Sequence, residues 1–137
     1  VDTFVVDIDD RVLLGERLDW PVKGLWCFGG RMLPRETFRQ TVSRNINREL
    51  AIKLTESDEL EIIGHYSFVW DKRKEGVVNN GFHDLLIFMK YIVEDRSVLS
   101  QDSTHSALQW FTKSELRTLK SSIHPYLWRG LVDAGLV

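Results

Sequence analysis

Apolar residues in this chain alternate between short runs and one long helical stripe. Thr3-Phe4-Val5-Val6 and Val12-Leu13-Leu14 flank Asp7-Ile8-Asp9-Asp10, a pattern that predicts two strands joined by an acidic turn. Residues 17–24 hold Pro21, Gly24 and several charges and predict a loop before the apolar run Leu25-Trp26-Cys27-Phe28, which Gly29-Gly30 closes. From 36 to 50 there is no Gly or Pro, and Phe38, Val42, Ile46, Glu49 and Leu50 recur at helical spacing, so one amphipathic helix is expected there. Residues 60–70 and 82–93 are rich in aliphatic and aromatic side chains and predict two antiparallel strands around a polar loop. A polar stretch over 94–106 leads to a short strand over 107–111. Thr112-Lys113-Ser114-Glu115 then has the spacing of a capping box, and a last helix is expected after Pro125.

The order strand, strand, loop, strand, helix, strand, strand, strand, helix is that of a mixed α/β protein with sheet and helix packed in layers. With 137 residues the chain is long enough for one core and short for two, so a single domain over 1–137 is expected. Eighteen Lys and Arg against twenty Asp and Glu leave a formal net charge of -2, which excludes the broad basic surface of a nucleic-acid binder. An anionic ligand must therefore be held by local charges. Cys27 is the one cysteine, which rules out an internal disulfide framework and suits a reducing compartment, with the cytoplasm as the default. The apolar runs are too short to span a bilayer, so no membrane association is expected.

The chemistry concentrates in Gly29-Gly30-Arg31-Met32-Leu33-Pro34-Arg35-Glu36 and, seven residues on, Arg44-Asn45-Ile46-Asn47-Arg48-Glu49-Leu50-Ala51-Ile52. This stretch resembles the Nudix box. Gly30, Glu36, Arg44, Ile46, Glu49 and Ile52 stand at its expected places, whereas Asn45 and Arg48 replace two of its three helix glutamates and Ala51 replaces its glycine. The resemblance implies the Nudix fold, a mixed β-sheet sandwiched between α-helices. Ordinary members that hydrolyse at phosphorus gather several Mg²⁺ ions on clustered carboxylates, because Mg²⁺ takes hard oxygen ligands in octahedral geometry. Asn45 and Arg48 remove that cluster.

The same two glutamates are missing from the GDP-mannose mannosyl hydrolases, which attack the sugar carbon and use one metal to stabilise the departing GDP. The resemblance to that branch extends to Leu13-Leu14-Gly15-Glu16-Arg17, Trp20-Pro21 and Gly24-Leu25-Trp26. It implies that Arg17 and Arg31 hold the diphosphate and stabilise the leaving group, for which planar guanidiniums are suited. It implies a Mg²⁺ ion, or Mn²⁺ in its place, on the Gly29 carbonyl and the Glu49 carboxylate. Thr104 stands where the family has a further glutamine ligand, and His105, five residues before Trp110, stands at the general base. Asp2 matches a substrate-orienting aspartate. A homodimer is likewise an implication of the resemblance.

Each residue also has a plainer reading. Glu49 could be a solvated helix carboxylate paired with Arg48 or Lys53, and Arg44 could orient Glu49 or the glycine loop instead of doing chemistry. His105 could be a surface histidine. His65 and His83 read as sheet residues, His124-Pro125 as a helix start, and the five tryptophans as mostly core by default, with Trp20 and Trp70, beside loops, open to stacking on a base or sugar. The leading expectation is a Mg²⁺-dependent hydrolase of a nucleoside-diphosphate sugar, GDP-mannose or GDP-glucose, with water attacking the anomeric carbon. Two alternatives stand beside it: pyrophosphatase chemistry at phosphorus on another nucleotide, and a domain that binds a nucleotide without turning it over.

Overall fold

The structure is a computed structural model that describes residues 1–94 and 107–137. Strands β1 (Asp2–Asp7) and β2 (Val12–Arg17) form the expected hairpin, with Val5 opposite Leu13. The Asp7 carboxylate closes its turn by accepting the backbone N–H groups of Asp9 and Arg11, both at 2.9 Å.

The apolar run over 25–28 is not one strand. It divides at Cys27 into β3 (Gly24–Trp26), antiparallel to β2, and β4 (Phe28–Gly29), antiparallel to β1. The β1–β2 pairing covers only Val5–Leu13 and Val6–Val12, and the two strands diverge beyond it, so the chain that fills the gap bonds first to one and then to the other. This wedge sets Gly29 opposite Asp2.

After helix α1 (Phe38–Leu50), β5 (Leu60–Trp70) and β6 (Phe82–Val93) pair antiparallel as expected, and β6 runs parallel to β1 from Asp2–Phe88 to Asp7–Val93. Strand β7 (Leu108–Phe111) adds to β2, and the main path through the mixed sheet is β3-β2-β1-β6-β5. Every residue of β1 is buried because both faces of this central strand are covered. Val5, with Leu13, Phe28, Met89 and Tyr91, packs on Val42, Ile46 and Leu50 of α1. Phe4 and Val6, with Leu14, Trp26 and Phe88, pack on Leu116 of α2 (Lys113–Thr118) and on Leu127 and Leu131 of α3 (Pro125–Asp133). Alternation along a strand thus sends neighbouring residues to opposite helical layers, giving α/β/α. Helix α3 presses close: a Cβ on Gly130 would collide with the rings of Phe88 and Phe4.

Both expected helix starts in the C-terminal part are present. Thr112 and Glu115 cap α2 reciprocally, and His124 caps α3 with its Nδ1 accepting from the Tyr126 N–H at 3.2 Å. No helix among the described residues is long and apolar enough to cross a membrane.

Candidate functional site

Helix α1 begins at Phe38, two residues later than the apolar periodicity suggests, because Thr37 and Gln40 form a capping box: the Thr37 hydroxyl accepts from the Gln40 N–H and the Gln40 side chain accepts from the Thr37 N–H. The Thr-x-x-Gln spacing is legible in the sequence. Glu36 therefore lies outside the helix, in the loop that follows the glycines. Its carboxylate accepts from Arg44 Nε at 2.6 Å and Nη2 at 2.9 Å, from the Leu33 N–H at 2.9 Å and from the Thr41 hydroxyl at 2.8 Å. Arg44, ahead of the Leu33 N–H, holds this carboxyl down at about 2. The same guanidinium donates to the Arg31 carbonyl at 2.8 Å and to Asn45 Oδ1 at 3.2 Å. Of its two architectural readings, Arg44 thus takes the one that ties the glycine loop to the helix.

At the other end of α1, Glu49 is only 8% exposed. One carboxylate oxygen accepts the Gly29 N–H at 3.1 Å and the other accepts Arg48 Nη2 at 2.9 Å. The same Arg48 nitrogen donates to the Gly29 carbonyl at 3.0 Å. Burial drives the Glu49 carboxyl up to about 7, against the opposing pull of Arg48 and with a further push from the charge of Asp2. The pairing with Arg48 matches the plainer reading of Glu49, but the solvated setting does not. Gly29 is required here because a Cβ would collide with Asp2 and the Val1 carbonyl.

Asp2 is equally buried and accepts the Trp26 indole N–H at 2.7 Å. Burial raises its pKa, as does Asp84, while the indole and Arg17 lower it. Asp84 was not singled out by the sequence, although a carboxylate inside the apolar run of β6 is a readable irregularity. It accepts the Trp70 indole N–H at 3.3 Å.

The box positions that lack glutamate are also informative. Asn45 is 1% exposed, its Oδ1 is occupied by Arg44, and its Nδ2 has no hydrogen-bond partner among the described residues. Among those residues no group of three His, Cys, Asp or Glu side chains could hold a metal. What remains is one carboxylate and one backbone carbonyl, and because a single nitrogen reaches both at about 3 Å they converge on one point. That donor pair fits one hard cation whose other ligands come from a bound anion and water, and it does not fit a multi-metal cluster.

The arginines read from the sequence differ in setting. Arg17 ends β2, half-buried, with its charge acting on Asp2 and Asp19. Arg31 lies beside the glycines through its backbone, but its guanidinium is 84% exposed and pairs at 3.4 Å with Glu75 of the β5–β6 loop. Thr104 and His105 lie outside the described residues. Trp70 is not free to stack on a ligand: it is buried against Trp26, Phe82, His124 and Tyr126. Trp20 carries the Lys23 ammonium 4.6 Å from its ring centre. His83 is a sheet residue, as read, hydrogen-bonded to Ser67 across β5 and β6. Burial raises the Cys27 thiol well above its ordinary range and so keeps it protonated.

Solved structures share this fold. The Escherichia coli dihydroneopterin triphosphate pyrophosphohydrolase superposes with a TM-score of 0.73 at 16% identity, covering 98% of this chain and 92% of that one. A Caenorhabditis elegans Ap4A hydrolase gives 0.67 at 11% identity, covering 98% and 92%. The NUDIX domain of Shewanella oneidensis NrtR, solved with ADP ribose, gives 0.65 at 18% identity, covering 97% and 82%. At such identities the likeness shows the fold. The NUDIX domain family profile matches residues 1–129. With the glycine loop bracketed by Glu36 and Arg44 and Glu49 set against Gly29, the chain belongs to the Nudix hydrolase superfamily.

Proposed function

We propose that this Nudix hydrolase acts on a nucleoside-diphosphate sugar, with GDP-mannose or GDP-glucose as the leading candidates, and that water attacks the anomeric carbon to release the nucleoside diphosphate. The observation that carries this reading is the composition of the helix face at the glycine loop. Of the three box positions that ordinarily bear metal-binding glutamates, one keeps its carboxylate, Glu49, while the others present the Asn45 amide and the Arg48 guanidinium. Attack at phosphorus through several metals needs carboxylates that these positions lack. Departure of a diphosphate from carbon needs less: charge neutralisation on the leaving group and a base for water.

Nudix hydrolases generally use divalent metal ions such as Mg²⁺. Glu49 and the Gly29 carbonyl are the groups that would hold one here, and such an ion would neutralise part of the diphosphate charge. Arg17 and Arg31 bind the same oxygens from the protein side, and Arg31 must leave Glu75 to do so. Asp2, fixed by the Trp26 indole, orients the substrate. His105 takes the proton from the attacking water, and Thr104 is a candidate further ligand. A cytoplasmic homodimer completes the reading, and light scattering in solution tests its assembly state.

The Escherichia coli and Caenorhabditis elegans structural neighbours are named for a triphosphate and for Ap4A, which keeps cleavage at phosphorus as the competing outcome. Turnover of GDP-mannose in oxygen-18 water separates the two. Label in the sugar supports attack at carbon, and label in a phosphate product overturns it. Absence of turnover across a panel of nucleotide sugars, with binding retained in calorimetry, would make the chain a binding domain.

A further inference from the structure

We propose that the Arg48 guanidinium is an internal cation seated between the Gly29 carbonyl and the Glu49 carboxylate, and that a divalent ion enters this seat by displacing it. The inference rests on the reading that this oxygen pair holds the metal. Its basis is that one atom, Arg48 Nη2, donates to both oxygens, at 3.0 Å and 2.9 Å, so the seat and the guanidinium site are the same place. Two cations cannot share it at that distance, because their repulsion is largest where water is excluded, and Glu49 is nine-tenths buried. Deprotonation offers no escape, since an arginine keeps its charge at any pH a protein survives.

The two partners differ in their freedom to move. The Glu49 side chain is 10% exposed and anchored through its second oxygen to the Gly29 N–H, whereas the Arg48 side chain is 49% exposed and has solvent to swing into. Gly30 admits the guanidinium: a Cβ there would stand 3.3 Å from Arg48 Nη2 and 3.1 Å from Asn45 Oδ1, tighter than most side-chain contacts. Nor can Asn45 recruit the ion in place of the missing carboxylate, because its free group is an N–H donor. A consequence follows for binding order. A metal ion alone must evict a charge-assisted pair, while a metal ion arriving with a diphosphate gives the released guanidinium an anion to bind, so the two ligands favour each other's binding.

Mn²⁺ titrations followed by electron paramagnetic resonance, with and without GDP, test this on the intact chain. In Arg48→Gln and Arg48→Ala the affinity for Mn²⁺ alone rises, by roughly 10- to 100-fold, the span by which groups around a metal site change affinity. The enhancement of Mn²⁺ binding by GDP shrinks in both. Unchanged or weaker Mn²⁺ binding in two variants that keep native circular dichroism and melting would overturn the proposal. So would Mn²⁺ binding that is unaffected by Glu49→Gln, because the ion would then sit elsewhere. The oxygen-18 result does not pass through Arg48, so failure here and failure of the proposed reaction are read separately.

Discussion

Arg44 and Arg48 stand one turn apart on helix α1, and their pairings, with Glu36 of the preceding loop and with Glu49 of the helix, behave in opposite ways. Arg44 and Glu36 meet at the half-buried edge of the glycine loop, through two short hydrogen bonds reinforced by a backbone N–H and a hydroxyl, and the carboxyl is pulled down to about 2. Arg48 and Glu49 meet under the glycine loop with a single contact, and the carboxyl is driven up to about 7. The salt bridge is common to both, so it cannot be what separates them. Burial raises both carboxyls, and the number of donors around each decides whether that push is outweighed. The first pair is a clamp with nothing left to offer. The second retains an under-compensated carboxylate beside an exposed, movable guanidinium, which is what a ligand site requires.

By that contrast, Glu49→Gln has the largest effect of any change in either pair. Metal-stimulated turnover falls by about 100-fold or more, with no loss of thermal stability, because the substitution removes a buried charge. A variant that melts lower while keeping its turnover would reverse the roles assigned here. Arg44→Ala is expected to do both kinds of damage at smaller scale. It releases the Glu36 carboxylate and the Arg31 carbonyl together, lowering Tm by roughly 5 °C, and turnover declines because Gly29 and Gly30 are carried on the loop it holds.

Ala51 sharpens the comparison from the end of the helix. It is the C-cap, with φ of 55° and ψ of 25°, and its N–H donates to the Asn47 carbonyl at 3.0 Å. Alanine is strained in this left-handed region, where the family pattern has glycine. Ala51→Gly is therefore expected to stabilise the fold by about 1 kcal/mol, measured by denaturant unfolding, without altering Mn²⁺ affinity.

The smallest effects lie in the pH dependence of stability of the metal-free protein, and they have opposite signs. Glu36 has a folded pKa depressed from 4.5 to about 2, so its contribution is present above 4.5 and is lost as pH falls toward 2. Glu49 has a folded pKa raised from 4.5 to about 7, so its contribution is present below 4.5 and is lost as pH rises through 7. Urea midpoints measured from pH 3 to 8 in chelator should show Glu36→Gln flattening the acid limb and Glu49→Gln flattening the neutral one. The same limb lost in both variants would mean that the two carboxyls share an environment.

Much of this arrangement is legible in the sequence. The stripe Val42-Ile46-Leu50 identifies the buried face of α1, the spacing of Gly30, Glu36, Arg44 and Glu49 identifies the box, and Thr112–Glu115 marks the start of α2. The start of α1 was readable in Thr37 and Gln40, though the apolar period alone places it two residues early. Trp70 takes the buried place that tryptophans have by default, because a residue next to a loop in sequence can still end a strand with its ring in the core.

The sequence by itself determined the layers and the chemistry on offer: periods of two and of 3.6 residues require faces to be buried, and one survivor of the three helix glutamates of the box limits what metal the helix can gather. Only the tertiary structure decided who meets whom. The run over 25–28 divides between two strands because β1 and β2 diverge, a fact of pairing that no local period contains, and that division sets Gly29 beside Asp2 and Glu49. Likewise Arg48 and Glu49 are adjacent in sequence, and adjacent helix residues do not face each other. It is the Gly29 carbonyl, brought in from a distant strand, that draws the guanidinium across to bridge them, so a residue that reads as a lost ligand becomes the occupant of the ligand's place.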